Sequence, residues 1–559
     1  MSQSPPVNGV AVTTAVPTAG PNYGKDAFAG FLVFLIALPL CLGISKACDC
    51  PPIAGVLTAI IGSILCAFIS NSQLTIKGPA AGMIAIVLGA VTAFKGTGAD
   101  DTQAYRMMLA VGVAAGVIQI VFGLLKAGSL GEFFPISAVH GLLAAIGVII
   151  ISKQVHTLLG VHDPAFLKMG PFALFAEIPR SIGRLNPRFT IIGLISLVIC
   201  FGKPFIKIEW VKKIPAQLIV LVVALSLASY WGLSKESEYS MWGGMHKQGP
   251  KPFLVTVPTD FRKAFATPNF EAVQHHWIFV QWVVMFALIG TLESLLSAKA
   301  IDLIDPLKRK TDLNRDVLAI GIANTVTAAV GGLPMISEIV RSKANIDNGG
   351  RSRLAGVVHG LCLLAFVALL PVLINQIPLA ALAAMLIFTG FRLASPMEFV
   401  HIAHIGKEQL LVFVTTIVAV LMTGLLEGIA IGVVMEMCVH VYLGASIGSL
   451  FGSSADVEHH PNGISVISVR NAAIFSNWIP LRKKIVQYGY EMKNKVVVDL
   501  SQANLVDHTV MDKLAALKND FTNEGLELEI RGLDNHQPVS AHPLATRRLI
   551  TPGNAAAPQ

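Results

Sequence analysis

Apolar runs long enough to cross a hydrocarbon core, about 20 helical residues each, recur along most of the chain. They fall at 27–46, 52–70, 107–126, 135–152, 189–202 and 214–232, and again at 277–298, 316–331, 354–374, 378–392, 409–425 and 427–447. Two shorter, polar-flanked stretches, 79–94 and 335–347, stand apart. Each starts just after a Gly/Pro interruption, Gly78-Pro79 in one case and Gly331-Gly332-Leu333-Pro334 in the other. Neither is apolar enough to cross a membrane unaided, so each predicts a broken helix.

Both broken stretches are third in their half, the chain reading helix, helix, broken helix twice. Residues 36–47, IALPLCLGISKA, resemble 286–300, FALIGTLESLLSAKA, and each precedes a Gly/Ala-rich helix and then the interruption. About seven segments per half is an odd number, so the second repeat is inserted upside down relative to the first. The expected fold is an all-α polytopic membrane protein of about 14 transmembrane segments arranged as 7+7 inverted repeats.

After residue 448 the pattern changes. GISVISV at 463–469, KVVVDL at 495–500 and LELEI at 526–530 read as strands, with helices near 477–489 and 508–522, the second capped by Asp507. The expected organisation is a disordered tail at 1–24, a transmembrane domain at 25–448, a small cytoplasmic α/β domain at 455–535 and a disordered tail at 536–559. The first two dozen residues lack the basic start and apolar core of a cleaved signal peptide.

Composition agrees with the pattern: 53% of residues are hydrophobic and 14% charged, against about 25% charged in soluble domains. Disordered, collagenous and disulfide-stapled classes are excluded. The net charge of +8 reflects loops rather than a nucleic-acid partner: Lys203, Lys207, Lys212 and Lys213, then Lys308, Arg309, Lys310 and Arg315, then Lys343, Arg351, Arg353 and Arg392 all fall on one side. That side reads as cytoplasmic. Both termini are then cytoplasmic, and the protein is multi-pass in the cell (inner) membrane. Five cysteines lie in apolar runs, and Cys48-x-Cys50 lacks the second pair that a zinc site needs.

Two half-helices starting near mid-membrane point their positive N-terminal ends at a common centre, which is where an anion is expected. Arg341, about two turns beyond Pro334, needs an anion or a carboxylate at that depth; Glu338 at i−3 is the alternative partner. Ser342 and Asn345 continue the polar character, as bridges or contacts. Glu293, with Thr291 and Ser297 nearby, either takes up a proton, pairs with a cation, or bonds to another helix. Glu293, Glu338 and Arg341 sum to minus one, so a proton or sodium ion is expected to accompany an anion. Asp302, Asp305, Glu427 and Glu436 read as solvated or interfacial, His140, His156 and His359 as helix-end or packing residues. The sequence contains no P-loop, H-E-x-x-H, dinucleotide fingerprint or G-x-S-x-G, so neither an ATP-driven pump nor an enzyme is indicated.

LTIKGPAAGMIAIVLGAV at 74–91, ALIGTLESLLSAKAID at 287–302, GGLPMISEIVRSKANIDNGGRSRLAG at 331–356 and IPLAALAAMLIFTGFRLA at 377–394 resemble the sulfate permease (SulP) family of anion transporters. The C-terminal domain resembles the STAS domain that family carries. The resemblance implies core and gate subdomains, an elevator-like alternating-access mechanism and frequent dimerisation. It places an anion site on Gly78, Pro79 and Ala80 and on Ser337, Glu338, Ile339, Val340 and Arg341, with Pro39 and Glu293 flanking; by their charge Glu293 and Glu338 are the coupling-cation candidates, and Thr291 and Ser297 lie beside Glu293. Glu338 departs from the small or hydroxyl residue that many relatives carry before the arginine. The SEIVRS version ranks bicarbonate slightly ahead of sulfate, carried by cation-coupled symport or by exchange, with Na+ or H+ as coupling ion and no other cofactor. In the tail, His508, Thr509 and Val510 replace the phosphorylatable Ser-Ser-Gly of relatives, which favours a structural or partner-docking role. The rival readings are a nucleobase permease of the same architecture and a membrane-anchored STAS signalling module.

Overall fold

A computed structural model describes residues 22–550, except 127, 129–133, 164, 167–168, 207, 209–213, 242–243, 249–252, 453 and 461. Residues 1–21 and 551–559 of the predicted tails (1–24 and 536–559), and the loop lysines Lys207, Lys212 and Lys213, lie outside the described residues, whereas Tyr23 and Gly24, expected in the N-terminal tail, open the first helix. The first half contains α1 (Tyr23–Ala47), α2 (Pro52–Ile69), strand β1 (Ile76–Pro79), α3 (Ile84–Lys95), α4 (Asp101–Leu124), α5 (Ile136–Leu158), α6 (Pro187–Gly202) and α7 (Ala216–Tyr230). The second repeats that order with α8 (His276–Ile304), α9 (Leu313–Ala329), strand β2 (Met335–Glu338), α10 (Ile339–Asp347), α11 (Leu354–Leu369), α12 (Leu379–Leu393), α13 (Lys407–Thr423) and α14 (Leu425–Tyr442). In each half a helix pair is followed by a strand and a short helix at the Gly/Pro interruption, where the sequence predicts a broken helix. A hairpin, Ser237–Met241 with Gly244–Gln248, and a connecting helix, Pro396–Ile405, are additions that the hydropathy pattern does not mark.

The helices sort into two bundles. In one, α1, α2 and α4 pack with α8, α9 and α11; in the other, α5, α6 and α7 pack with α12, α13 and α14. Within the first, Gly116 and Gly321 bring α4 and α9 together backbone to backbone: a Cβ at Gly321 would lie 2.5 Å from the Ile120 nitrogen. Small residues serve this purpose in lipid, where close packing rather than water release holds helices together.

The expected position of the half-helices needs a correction. They do not begin at the interruptions. Pro79 and Pro334 cannot donate to a helix: after Pro79 the chain turns through Ala81–Met83 before α3 begins at Ile84, and after Pro334 it runs extended as β2 until Ile339. The intervening strands pair with each other antiparallel, Ile76 opposite Glu338, Lys77 opposite Ser337, Gly78 opposite Ile336 and Pro79 opposite Met335. Antiparallel pairing of corresponding elements is what inversion of the second half requires. It also satisfies backbone groups that would otherwise be stranded in the bilayer.

The C-terminal domain contains β3 (Ser454–His460), β4 (Ile464–Ala473), α15 (Trp478–Val486), β5 (Lys495–Val506), α16 (His508–Asn523), β6 (Leu528–Arg531), β7 (His536–Pro538) and β8 (Arg547–Leu549). β4, β5 and β6 are parallel neighbours joined by helical crossovers, over a core that includes Trp478, Val498, Leu514 and Phe521. Residues 536–550, read from sequence as tail, are instead folded: β8 pairs antiparallel with the end of β5 and with β7. The Leu505–Val506 edge of β5 extends beyond β6 and leaves ladder groups for β8 to fill. The domain docks on the bundles through Lys310, whose Nζ is 3.3 Å from Asp520 and 3.1 Å from Glu524, and through Ser540, whose hydroxyl donates to the Ile405 carbonyl at 2.5 Å.

Candidate functional site

The paired strands β1 and β2 place the chemistry of both halves in one buried spot. Arg341 packs against Gly78: a Cβ there would fall 2.2 Å from Arg341 Nη1, so a larger residue would displace the guanidinium from this position. Arg341 is 1% exposed. Its Nη2 donates to the Pro79 carbonyl at 3.2 Å, while Nε and Nη1 are buried without a hydrogen-bond partner. The sequence allows an internal Glu338–Arg341 ion pair, but among the described residues none is formed. A guanidinium carries five donors and stays charged, so two idle nitrogens in an apolar interior are acceptor-seeking groups.

Around this cation the sequence-predicted residues differ in burial and in what they offer. Ala80 and Ser337 are buried, and Glu338 is half-buried at the N-cap of α10, where its side chain makes no capping bond. Met83 opens α3 equally uncapped. Both helix starts therefore present first-turn N–H groups and positive dipole ends. Ile339 and Val340 depart from their assignment as side-chain neighbours: Ile339 is 43% exposed and Val340 half-buried. What they offer an anion is their backbone N–H groups alone. Glu293 of α8 reaches the loop before α3, where a Cβ at Gly82 would come within 1.9 Å of its Oε1; its Oε2 is buried without a partner.

The flanking residues act on the scaffold. Thr291 accepts from Gln119 Nε2 at 3.2 Å, and Asn324 Nδ2 donates to Gln119 Oε1 at 2.8 Å. Asn324 Oδ1 in turn accepts from the Met335 nitrogen at 2.7 Å, which ties α4, α8 and α9 to the start of β2. Ser342 accepts from the Ile76 nitrogen at 2.8 Å and Asn345 donates to the Leu74 carbonyl at 3.1 Å, so both clamp α10 to the entry of β1. Pro39 is buried within α1, which packs against α10, and Ser297 is buried one turn beyond Glu293.

Lys77, Asp316, Ser70 and Ser294 escape the sequence reading. Lys77 Nζ lies 2.6 Å from Asp316 Oδ1 and 2.5 Å from Ser337 Oγ, with Lys77 and Asp316 both buried. Asp316 also accepts from Ser70 Oγ at 2.6 Å, and Ser294 Oγ accepts from the Ser337 nitrogen at 2.9 Å. The available signal is Lys77 itself, a charge within the LTIKGPAAG run whose partner lies near the start of a later helix. Other expectations divide. His359 packs as expected, its Nδ1 2.9 Å from Ser63 Oγ, and Cys48 and Cys50 are buried free thiols that contact carbonyls. Glu436, expected at a solvated edge, is fully buried because the C-terminal domain covers the end of α14. Thr509 is likewise buried, its hydroxyl accepting from the Ile136 nitrogen at 3.3 Å.

A buried, acceptor-seeking arginine between two uncapped half-helices has the chemistry to hold a small anion, within a fold of long apolar helices. The chain belongs to the sulfate permease family, whose model matches residues 24–416. It is 23% identical over 529 residues to YvdB of Bacillus subtilis (strain 168), covering 93% of each chain. To the bicarbonate transporter BicA of Synechocystis sp. it is 24% identical over 412 residues, 74% of this chain and 68% of that one. Its fold matches the structure of SLC26A9 with a TM-score of 0.64 at 15% identity, over 91% of this chain and 84% of the other. The protein is thus an integral, multi-pass membrane protein of an anion-transporter family, and a transporter rather than an enzyme.

Proposed function

We propose that this chain is a secondary active transporter of a small inorganic anion, with bicarbonate ranked slightly ahead of sulfate. The observation that carries the proposal is Arg341, fully enclosed yet with Nε and Nη1 unbonded beside the meeting point of β1 and β2. A small oxyanion presents acceptors in the geometry that a guanidinium and first-turn N–H groups satisfy. The charge balance supports a monoanion. Lys77 and Asp316 cancel each other, so Glu293, Glu338 and Arg341 leave the site at minus one, and each further negative charge adds repulsion at low dielectric. Glu293, and secondarily Glu338, take the coupling role: a proton or Na+ bound there neutralises the site before the anion enters. Symport follows if that cation travels with the anion, exchange if a second anion replaces it.

The proposed mechanism is elevator-like. The bundle holding the site slides against the bundle of α5–α7 and α12–α14, and the β1–β2 pair travels as one piece. In this reading the C-terminal domain is a STAS domain on the cytoplasmic face of the inner membrane, both termini are cytoplasmic, and the assembly is a homodimer whose C-terminal domains are available to a cytoplasmic partner.

The test is uptake of labelled bicarbonate and sulfate into liposomes holding the purified protein, with sodium and proton gradients imposed separately. Saturable bicarbonate flux that needs one gradient and is lost in Arg341→Ala is the expected result. Absence of flux for both anions in folded protein, or full flux in Arg341→Ala, overturns the reading.

A further inference from the structure

One cluster of ionisable side chains lies outside the anion site and has no part in it. Glu436 and His440 stand one turn apart at the end of α14, and Asp507, the N-cap of α16, meets them from the C-terminal domain. All three are fully buried. His440 Nε2 lies 3.2 Å from Glu436 Oε1 and 3.4 Å from Asp507 Oδ2, yet it hydrogen-bonds neither. His440 Nδ1 and Glu436 Oε2 are also buried without a hydrogen-bond partner.

Those distances have a specific meaning. A charge-assisted N–H···O bond is about 2.7–2.9 Å long and close to straight. Two atoms each bound about 2.1 Å from one tetrahedral ion are about 3.4 Å apart. The separations in the cluster match edges of a coordination polyhedron, and one oxygen or nitrogen from each residue falls within 4.8 Å of the others. The surroundings hold the carboxylates as a metal site's outer partners do. Gln409 Nε2 donates to Glu436 Oε1 at 3.2 Å and is itself held by Ser137, whose hydroxyl donates to Gln409 Oε1 at 2.5 Å. The Val510 and Phe475 nitrogens donate to Asp507 Oδ1 and Oδ2 at 2.6 and 2.7 Å. Two carboxylates and a neutral imidazole carry minus two, which one dication cancels, and Glu408 adds a further negative charge close by.

We propose that Glu436, His440 and Asp507 bind a first-row divalent metal ion, zinc in the first instance, which clamps α14 to the C-terminal domain. Imidazole with carboxylate oxygens suits zinc, whereas magnesium and calcium favour all-oxygen shells. Because two ligands come from the transport domain and one from the appended domain, the ion holds only while the domains are docked.

The full-length protein, purified through a tag free of histidine and cysteine and stripped by chelator, is titrated with Zn2+ against a chromophoric competitor. One tightly bound zinc per chain is expected, weakened at least tenfold in each of E436Q, H440A and D507N. D507N retains an acceptor that caps α16, which separates loss of a ligand from loss of the helix start. X-ray absorption of the wild-type protein with one equivalent of zinc should give a first shell of nitrogen and oxygen only, without sulfur. That measurement stands even if a variant does not fold. A folded wild-type protein that binds no more zinc than H440A overturns the proposal, as does a sulfur-containing shell. So does zinc binding that all three substitutions leave unchanged, because a protonated His440 between two carboxylates then accounts for the cluster.

Discussion

Removing either partner of the Lys77–Asp316 pair isolates a charge within the bundle, and the cost follows from the geometry. At 2.6 Å and an effective dielectric of about 20, the attraction is about 6 kcal/mol before desolvation is subtracted. Lys77→Met leaves Asp316 with only the Ser70 and Ser337 hydroxyls, and Asp316→Leu leaves the ammonium with no charged partner, beside the Ser337 hydroxyl. Breaking one side of a buried pair costs about 3–5 kcal/mol, whereas replacing both sides with apolar groups of similar volume is close to neutral. The double variant Lys77→Met/Asp316→Leu should therefore be more stable than either single variant, with a coupling energy above about 3 kcal/mol. Reversible unfolding of the four proteins in mixed micelles, followed by tryptophan fluorescence, completes the cycle. Additive effects, with coupling under about 1 kcal/mol, would refute the pair as a structural unit.

Further outcomes follow from single contacts. Gly82→Ala pushes the Glu293 carboxylate aside, so liposome uptake should fall by at least tenfold while stability in the same micelles changes by less than about 1 kcal/mol; unchanged uptake would show that Glu293 need not sit there. Glu293→Gln should remove the dependence of flux on the coupling gradient, and an identical sodium and pH profile would exclude it from coupling. Burial, together with nearby His508, His401 and His404, lowers the His542 imidazole below the ordinary histidine value of about 6.5. A depressed histidine pKa means that the undocked segment binds the proton more readily. Docking of residues 536–550 should thus be full above about pH 6.5 and weaken as the pH falls below it. Hydrogen exchange of that segment at pH 7.5 and 5.5 reads this out, and equal protection at both would refute it.

The helices and the two breaks were legible because lipid imposes length and apolarity on every crossing, and because proline and glycine mark where a helix cannot continue. Arg341, Gly78 and Glu293 were legible for a related reason: charge and flexibility are conspicuous against an apolar background. The β1–β2 pairing was not. Four-residue strands have no periodicity to detect, and their partners lie in opposite halves of the chain. Lys77 and Asp316 stand 239 residues apart at the edges of separate apolar runs, and only the packing of α9 beside the β1–β2 pair brings them together. Residues 536–550 are polar and Pro-containing, so their order depends on an open stretch of β5 that no local pattern reveals. Glu436 was misplaced for the opposite reason, since its burial comes from a separate domain rather than from its own helix.

The same pairing sets a condition on biosynthesis. Lys77 is separated from Asp316 by 239 residues, and at a synthesis rate of about 5–20 residues per second the ribosome needs roughly 10–50 s to supply the partner. During that interval the nascent first half holds an unpaired strand edge and an uncompensated lysine at a depth where neither is stable. The first seven segments therefore cannot reach their final packing when they leave the insertion machinery. They must wait, with β1 shielded by water, lipid headgroups or an assembly factor, until α9 and β2 arrive to close the centre of the molecule.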